Sequence, residues 1–454
     1  MYKVVFHILN TNSHFNSTIK IANYLKSKGY SITYFALENV EQRILDHGFE
    51  FFPFPSDHFT YNNSYPDVSL IKKTIHQFKI NNKFENNFLR GDFYDPLINK
   101  ISPDLIFVDL SLIYYSIFLI KKKVPFLTFC TKVNLNKSKI SPPFVYSIIP
   151  VNNLLYLYYN KLIWNLLFIK RKFFLFINVF FLFKISHFNL VIRYSKKQNI
   201  DFFRISDNER CSHFGWKHHP ELILSPKEFD FPREFSSNQV CIGPVVELER
   251  NESINKAFNN SNYFKLIKNH NSNQKIVFCS MGSYDFKYTK LRLYFFLRLI
   301  KIFENRNDLF LILSTGSDIN PKAFEIKTKN ILLYKELPQI EILKNVDLMI
   351  NHGGMQSVTE CIMLEAPMLV YPLNPYLDQN GNAARVVYHN IGLRGKLKKD
   401  NSKMIEKKID ELLTNRAYFL KNIKKLREKM VSSGDFEKGM DFIENYIKDN
   451  NPKI

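Results

Sequence analysis

Cysteine is scarce and unpatterned in this chain. Its five residues, Cys130, Cys211, Cys241, Cys279 and Cys361, are odd in number and widely spaced, and none lies in a Cys-x-x-Cys pair. That pattern argues against a disulfide framework and against a thiolate zinc site. No stretch offers about 20 clean apolar residues, so no membrane-spanning helix is expected. The opening "MYKVVFHILNTNSHF" turns polar at once and lacks the basic start and cleavage region of a signal peptide. A reducing, cytoplasmic setting is the expectation. There is no short-period repeat. Nor is there a regular basic and aromatic module of the kind that reads nucleic acid, which is not expected as a partner. Acidic residues are the minority charge, 42 against 63 Lys and Arg, for a formal net charge of +21. A basic balance suits nucleic acid, an anionic membrane or an anionic substrate. The competing explanation is an AT-rich coding bias, since Phe, Lys, Asn, Ile and Tyr are all plentiful.

The 454 residues suit two domains better than one core. "KVVFHIL" (3–9) reads as a buried strand, "FNSTIKIANYLKSKG" (15–29) as a helix, and "YSITYFAL" (30–37) as a second strand. The alternation recurs in "LIFVDL" (105–110), a helix-like "LIYYSIFLIKKK" (112–123) and "VPFLTFCT" (124–131). It restarts at "KIVFCSMGS" (275–283) and continues through "LFLILSTG", "NILLYKEL", "DLMINHGG" and "APMLVYP". This rhythm predicts α/β architecture: two doubly wound, Rossmann-like domains facing each other across a cleft. The polar, Asn-rich stretch 247–274 is the expected linker between domains at 1–246 and 275–454. The final amphipathic helices, roughly 402–448, leave the last one free to pack across both domains.

In a doubly wound sheet, ligands sit beyond the C-terminal ends of the strands. "DLMINHGG" ends there, and a helix is expected to begin near Met355. Gly353 and Gly354 permit close approach of backbone to a ligand. The N–H groups of the new helix favour a phosphate. His352 stands in the same turn, and Ser357 in the first helical turn offers a hydroxyl. Glu360 lies three residues further on the same face, where its carboxylate can accept from paired sugar hydroxyls. The strand "APMLVYP" ends at the same edge, which brings Asp378 and Gln379 towards the other end of the ligand.

The stretch "NHGGMQSVTECIMLEAPMLVYPLNPYLDQNGNAARV" resembles the signature of the UDP-glycosyltransferase superfamily: H-G-G-x-x-S-x-x-E, a-P-M-x-x-x-P, then D-Q-x-x-N-A. "LPQIEIL" (337–343), "FCSMGS" (278–283) and "CIGPVV" (241–246) resemble neighbouring family elements. The resemblance implies the GT-B fold, a nucleotide-sugar donor as co-substrate, inversion at the anomeric carbon, and neither metal nor cofactor. It places His352, Gly354 and Ser357 at the diphosphate, with Gly353 in the same loop. Glu360 falls at the ribose, Asp378 and Gln379 at the donor sugar, and Gln339 and Ser283 near the nucleotide. One position departs. Where many members stack a Trp on uracil, this chain has Glu336, with Tyr334 two residues earlier.

Transfer to a hydroxyl needs a group that takes its proton. His14 follows the first strand, and Asp109 ends "LIFVDL" at the same sheet edge, so a His-Asp dyad is expected. A helix N-terminus at His14 would keep its imidazole neutral. "SHFNSTIKIANYLKSKGYSITYF" resembles the family's opening G-H-x-x-P segment, with Ser13 and Ser17 in place of the Gly and Pro. His7 and His47 are read as structural, and Asp104 as a turn residue.

The segment 162–188 is apolar and aromatic, with interspersed Lys and Arg. It reads either as an amphipathic core helix or as a greasy acceptor pocket or membrane-surface patch. The expected function is inverting transfer of a hexose from a nucleotide-sugar to a hydroxyl of a hydrophobic acceptor, with peripheral contact to an anionic membrane left open. The alternatives are a nucleotide-sugar epimerase of similar fold and a non-catalytic nucleic-acid- or membrane-binding protein.

Overall fold

The computed structural model describes residues 1–54, 81–180, 186–250, 274–282 and 286–451. Most of the expected linker and the site residue Ser283 lie outside the described residues.

Seven parallel strands form a first sheet. In chain order the strands up to residue 241 are β1 (Lys3–His7), β2 (Ser31–Ala36), β3 (Glu50–Pro53), β4 (Leu105–Asp109), β5 (Phe126–Cys130), β6 (Ser206–Asp207), β7 (Gly215–Trp216), β8 (Glu221–Ile223) and β9 (Gln239–Cys241). The sheet runs β3-β2-β1-β4-β5-β8-β9, while β6 and β7 pair separately. A second sheet of six parallel strands follows: β10 (Lys275–Ser280), β11 (Leu309–Ser314), β12 (Ile331–Tyr334), β13 (Leu348–Asn351), β14 (Met368–Val370) and β15 (Gly392–Arg394). Its order is β12-β11-β10-β13-β14-β15.

Both sheets are built from near-continuous apolar runs because helices cover both faces. Every residue of β4 is buried, as is every residue of β13. In each sheet the order reverses once, between β1 and β4 in the first and between β10 and β13 in the second. Parallel strands that diverge to opposite sides leave a crevice at their C-terminal ends at that point.

Local structure follows the sequence with particular breaks. The helix expected over 15–29 divides into Asn12–Asn16 and Ile19–Ser27. Ser17 and Thr18 turn their hydroxyls onto the carbonyls of His14 and Phe15, which interrupts the ladder between the two pieces. The helix expected over 112–123 begins as a tighter 3-10 turn, Leu110–Tyr115, before continuing as Ser116–Lys122. The aromatic segment lies mainly in one long helix, Leu154–Phe180, which starts earlier than its apolar composition suggested.

The last helix, Asp435–Asn450, buries Phe436, Met440, Ile443 and Ile447, spaced as one helical face. They pack with Val4, Leu105, Leu222 and Ile242 of the first sheet's core, although the preceding chain belongs to the second sheet. A side chain at Gly439 would meet Ile242 Cγ2 at 2.1 Å, so the helix sits close against the chain that leaves β9.

Candidate active site

The dyad residues flank the first sheet's switch point. His14 comes from the short helix after β1, and Asp109 ends β4. His14 Nδ1 hydrogen-bonds Asp109 Oδ2. Asp109 also accepts the Leu9 N–H at 3.3 Å and, through Oδ1, the Ser111 N–H at 2.8 Å. Burial would raise the Asp109 carboxyl, but the charge and hydrogen bond of His14 and these two backbone donors outweigh it and hold it below the usual carboxylate range. A carboxylate only accepts, so Nδ1 carries a proton towards Asp109, and in the neutral imidazole Nε2 is then the acceptor. The His14 side chain keeps 13% of its surface exposed against 2% for Asp109. The helix carrying His14 is only five residues long, with His14 in its last turn. The dipole argument for a neutral imidazole therefore fails, and Asp109 is what orients the ring.

A small cavity beside the dyad is lined by Asp109, Ser111, Cys130, Lys132 and His213. Burial pushes the His213 imidazole down to about 3, with Lys132 and Arg210 adding to the effect, so it is neutral there. Sequence reasoning missed His213 because it lies in a loop with no periodicity to orient it. The three bystanders behave as expected. His7 is buried with Nδ1 2.7 Å from Tyr94 Oη, His47 Nδ1 bonds the Arg43 carbonyl at 2.8 Å, and Asp104 receives the Lys3 N–H at 2.7 Å in a turn.

The second cluster stands at the switch point of the second sheet. His352, Gly353 and Gly354 connect β13 to the helix Met355–Met363, whose first residue follows Gly354 with no side-chain cap. Gly353 has φ +84°, and a Cβ there would meet Val370 Cγ1 at 2.8 Å and the Gln379 carbonyl at 2.9 Å. A side chain at Gly282, just beyond β10, would come within 3.0 Å of the His352 ring. The loop is thus tight, and the uncapped helix N–H groups face the strand ends.

Amide side chains hold this loop in place. Asn351 Oδ1 accepts the Gly353 N–H at 2.8 Å. Asn382 donates to the Gly353 carbonyl and to Asp378 Oδ2, both at 2.9 Å. Gln379 Oε1 accepts the N–H groups of Leu373 and Asn374, each at 2.7 Å. His352 and the Asp378-Gln379 pair are therefore positioned on one frame, with the Gln379 amide N–H₂ still available. Arg292, buried, donates to the Gly282 carbonyl at 3.1 Å and pairs with Asp318, which fixes the loops after β10 and β11.

Gln339 joins Ser357 and Glu360. Its amide donates to Ser357 Oγ at 3.1 Å and to Glu360 Oε2. Glu360 is fully buried, and its Oε1 receives Arg250 Nη1 at 2.5 Å and Gln356 Nε2 at 3.1 Å. The carboxylate read as a ribose acceptor is thus already engaged by a guanidinium. Nothing in the sequence pattern singled out Arg250, which is distant along the chain and outside every motif. Glu336 is exposed. Among the described residues, no group of three or more His, Cys, Asp and Glu side chains is arranged to hold a metal ion.

The two halves meet at the helix Gln379–Tyr388. Arg385 pairs with Asp230 at 2.6 Å, His389 Nε2 lies 3.0 Å from the Phe229 carbonyl, and Arg394 donates to the Ser147 carbonyl at 2.7 Å.

The model of the family described as UDP-glucoronosyl and UDP-glucosyl transferase matches residues 158–429. Among curated relatives, the Bacillus subtilis protein described as an uncharacterized UDP-glucosyltransferase, YojK, is 27% identical over 50% of this chain and 52% of its own length. The zeaxanthin glucosyltransferase of Pantoea ananas is 26% identical over 50% of this chain and 49% of its own length. The chain thus spans about half the length of the curated relatives it matches. Among solved structures, the glycotransferase of kitacinnamycin superposes with a TM-score of 0.66 at 16% identity, covering 98% of each chain. The glycosyltransferase VinC in complex with dTDP gives 0.59 at 12% identity, covering 98% of this chain and 99% of its own. These likenesses identify the fold as GT-B. With the family model matching well over half of the chain, the protein is a member of the UDP-glucoronosyl and UDP-glucosyl transferase family.

Proposed function

We propose that the protein is an inverting glycosyltransferase that moves a hexose from a nucleotide-sugar, with UDP the expected nucleotide, to a hydroxyl of a hydrophobic acceptor. The observation that carries this reading is the placement of the two clusters. A His-Asp pair stands at one switch point, and a phosphate-type loop with its uncapped helix stands at the other. The donor diphosphate would lie at His352–Gly354 and the start of the following helix. Ser357, Gln339 and Glu360 would face the nucleoside, and Asp378 and Gln379 the sugar.

His14 Nε2 would take the acceptor's hydroxyl proton as its oxygen attacks the anomeric carbon. The bond from that carbon to the diphosphate oxygen breaks on the opposite face, which inverts the configuration. Asp109 stabilises the imidazolium so formed. The departing nucleoside diphosphate is stabilised by helix N–H groups and His352, without a metal ion. No resident cofactor enters the scheme.

The likeness to a UDP-glucosyltransferase supports a sugar nucleotide, and VinC was solved with dTDP. Since Glu336 stands where a uracil-stacking Trp is expected, UDP- and dTDP-sugars both belong in the test. The acceptor is read as lipid-like or a small apolar molecule, with peripheral contact to an anionic membrane as the accompanying reading. The direct experiment is a donor screen by mass spectrometry, with and without a lipophilic extract. A hexose-shifted product that forms only with the extract supports transfer. A changed sugar nucleotide without any acceptor would instead identify an epimerase.

A further inference from the structure

The helix Leu154–Phe180 is apolar on two opposite faces, where a packed surface helix is apolar on one. Its inner face buries Tyr156, Asn160, Ile163, Trp164 and Leu167. Hydrogen bonds from Trp164 Nε1 to the Ser141 carbonyl at 3.0 Å and from Tyr156 Oη to the Ile140 carbonyl at 2.9 Å hold that face in place. On the outer face Leu155, Leu162, Leu166, Ile169, Phe173 and Phe176 are between 49% and 82% exposed. Their spacing keeps them in one line along the helix. At about 1.5 Å rise per residue the line is roughly 30 Å long. An uninterrupted apolar surface of that length is a contact surface rather than incidental exposure.

Charge decides what it contacts. From 154 to 180 there is no Asp or Glu, while Lys161, Lys170 and Lys172 are exposed beside the stripe. A second copy packed through the same face would set these cations against their own kind. Anionic headgroups would complement them, and acyl chains would cover the Leu, Ile and Phe side chains. No helix among the described residues is long and apolar enough to cross a membrane, so the helix would lie in the interfacial plane.

The geometry points to a docking face for an anionic lipid bilayer, and we propose that the stripe from Leu155 to Phe176 binds one. The inner face of the same helix packs on a segment that leads to the site. Asn160 donates to the Lys139 carbonyl at 2.8 Å, and the same connecting segment carries Phe144. A side chain at Gly381, on the Asp378–Gln379 side of the second half, would come within 1.8 Å of the Phe144 carbonyl oxygen. A bilayer bound on the outer face would lie one helix away from that segment, from which a membrane-held acceptor would reach the cleft. That last consequence rests on the transfer reading above, whereas the docking does not.

The test is co-sedimentation of the full chain with phosphatidylcholine vesicles, with and without phosphatidylglycerol. The protein should sediment with the anionic vesicles and lose most of that binding at high salt. The combined variant Leu162→Ser, Ile169→Ser, Phe173→Ser should cut the bound fraction roughly tenfold or more. Its thermal midpoint and its UDP affinity should stay unchanged, because these side chains point away from the core. The proposal is overturned if the wild type stays in the supernatant, if the two vesicle types bind it equally, or if the variant sediments as well as wild type. A lipid-free dimer that the variant dissociates would assign the face to a second copy and overturn it too. Vesicle binding without any nucleotide binding would sink the transfer reading and leave the docking intact.

Discussion

Glu360 has no exposed surface, yet it carries a charge whose main partner, Arg250, comes from a distant part of the chain. Removing one member of a buried pair leaves the other uncompensated, which costs about 3–5 kcal/mol. Glu360→Ala should therefore lower stability in urea by that amount and also weaken UDP binding. Unchanged stability would contradict the buried pair, and unchanged UDP affinity by calorimetry would remove Glu360 from the donor site. A second consequence concerns acid. Burial pushes the imidazoles of His7 and His213 down to about 3 and that of His389 to about 4. All three are neutral when folded and take up protons when unfolded as the pH drops below the ordinary histidine value. Their contribution is complete above pH ~6.5 and is lost as pH falls towards the folded values, each histidine adding a slope of about 1.4 kcal/mol per pH unit. Asp109, held low by His14, acts in the same direction at still lower pH. Urea midpoints measured from pH 7 to pH 4 should fall steadily, and a flat profile would contradict the buried neutral state.

At the scale of elements, the joint between the halves depends on a few buried charges. Asp230 receives Arg385 at 2.6 Å and faces Arg233 Nε at 3.1 Å. Asp230→Ala would leave two guanidiniums buried together, and a loss of roughly 3–5 kcal/mol in urea is expected. A loss below 1 kcal/mol on the order of a surface pair would show that the joint is wet instead. The elements themselves were readable in proportion to their regularity. The stretches "LIFVDL" and "DLMINHGG" each carry a short apolar run, Leu105–Val108 and Leu348–Ile350, and a strand forms on each. The sheet edge bearing the site was legible for the same reason, since parallel strands align all their C-terminal ends. Short strands such as Glu221–Ile223 carry too few residues to show a period. Arg250 and His213 were invisible because only the tertiary fold brings them to Glu360 and Asp109. The break between Asn12–Asn16 and Ile19–Ser27 was hidden as well, since it depends on hydroxyl bonds that apolar spacing does not record.

At the scale of the whole molecule, each half holds one of the two candidate clusters, and the final helix ties the second half's chain back onto the first sheet. On the proposed scheme, transfer requires the acceptor hydroxyl to be held between His14 and the anomeric carbon of a donor bound by the other half. Because the proposed leaving-group contacts are N–H groups and an imidazole, activity should survive excess EDTA. Loss restored by manganese or magnesium would contradict that part of the scheme. The most direct measurement compares wild type and His14→Ala in two assays, nucleotide binding by calorimetry and glycosyl transfer by mass spectrometry. The variant removes the proposed base and leaves every proposed donor contact in place. Transfer should fall roughly 10²–10⁴-fold, the usual contribution of a positioned general base, while nucleotide affinity holds. Near-normal transfer by His14→Ala would contradict the account.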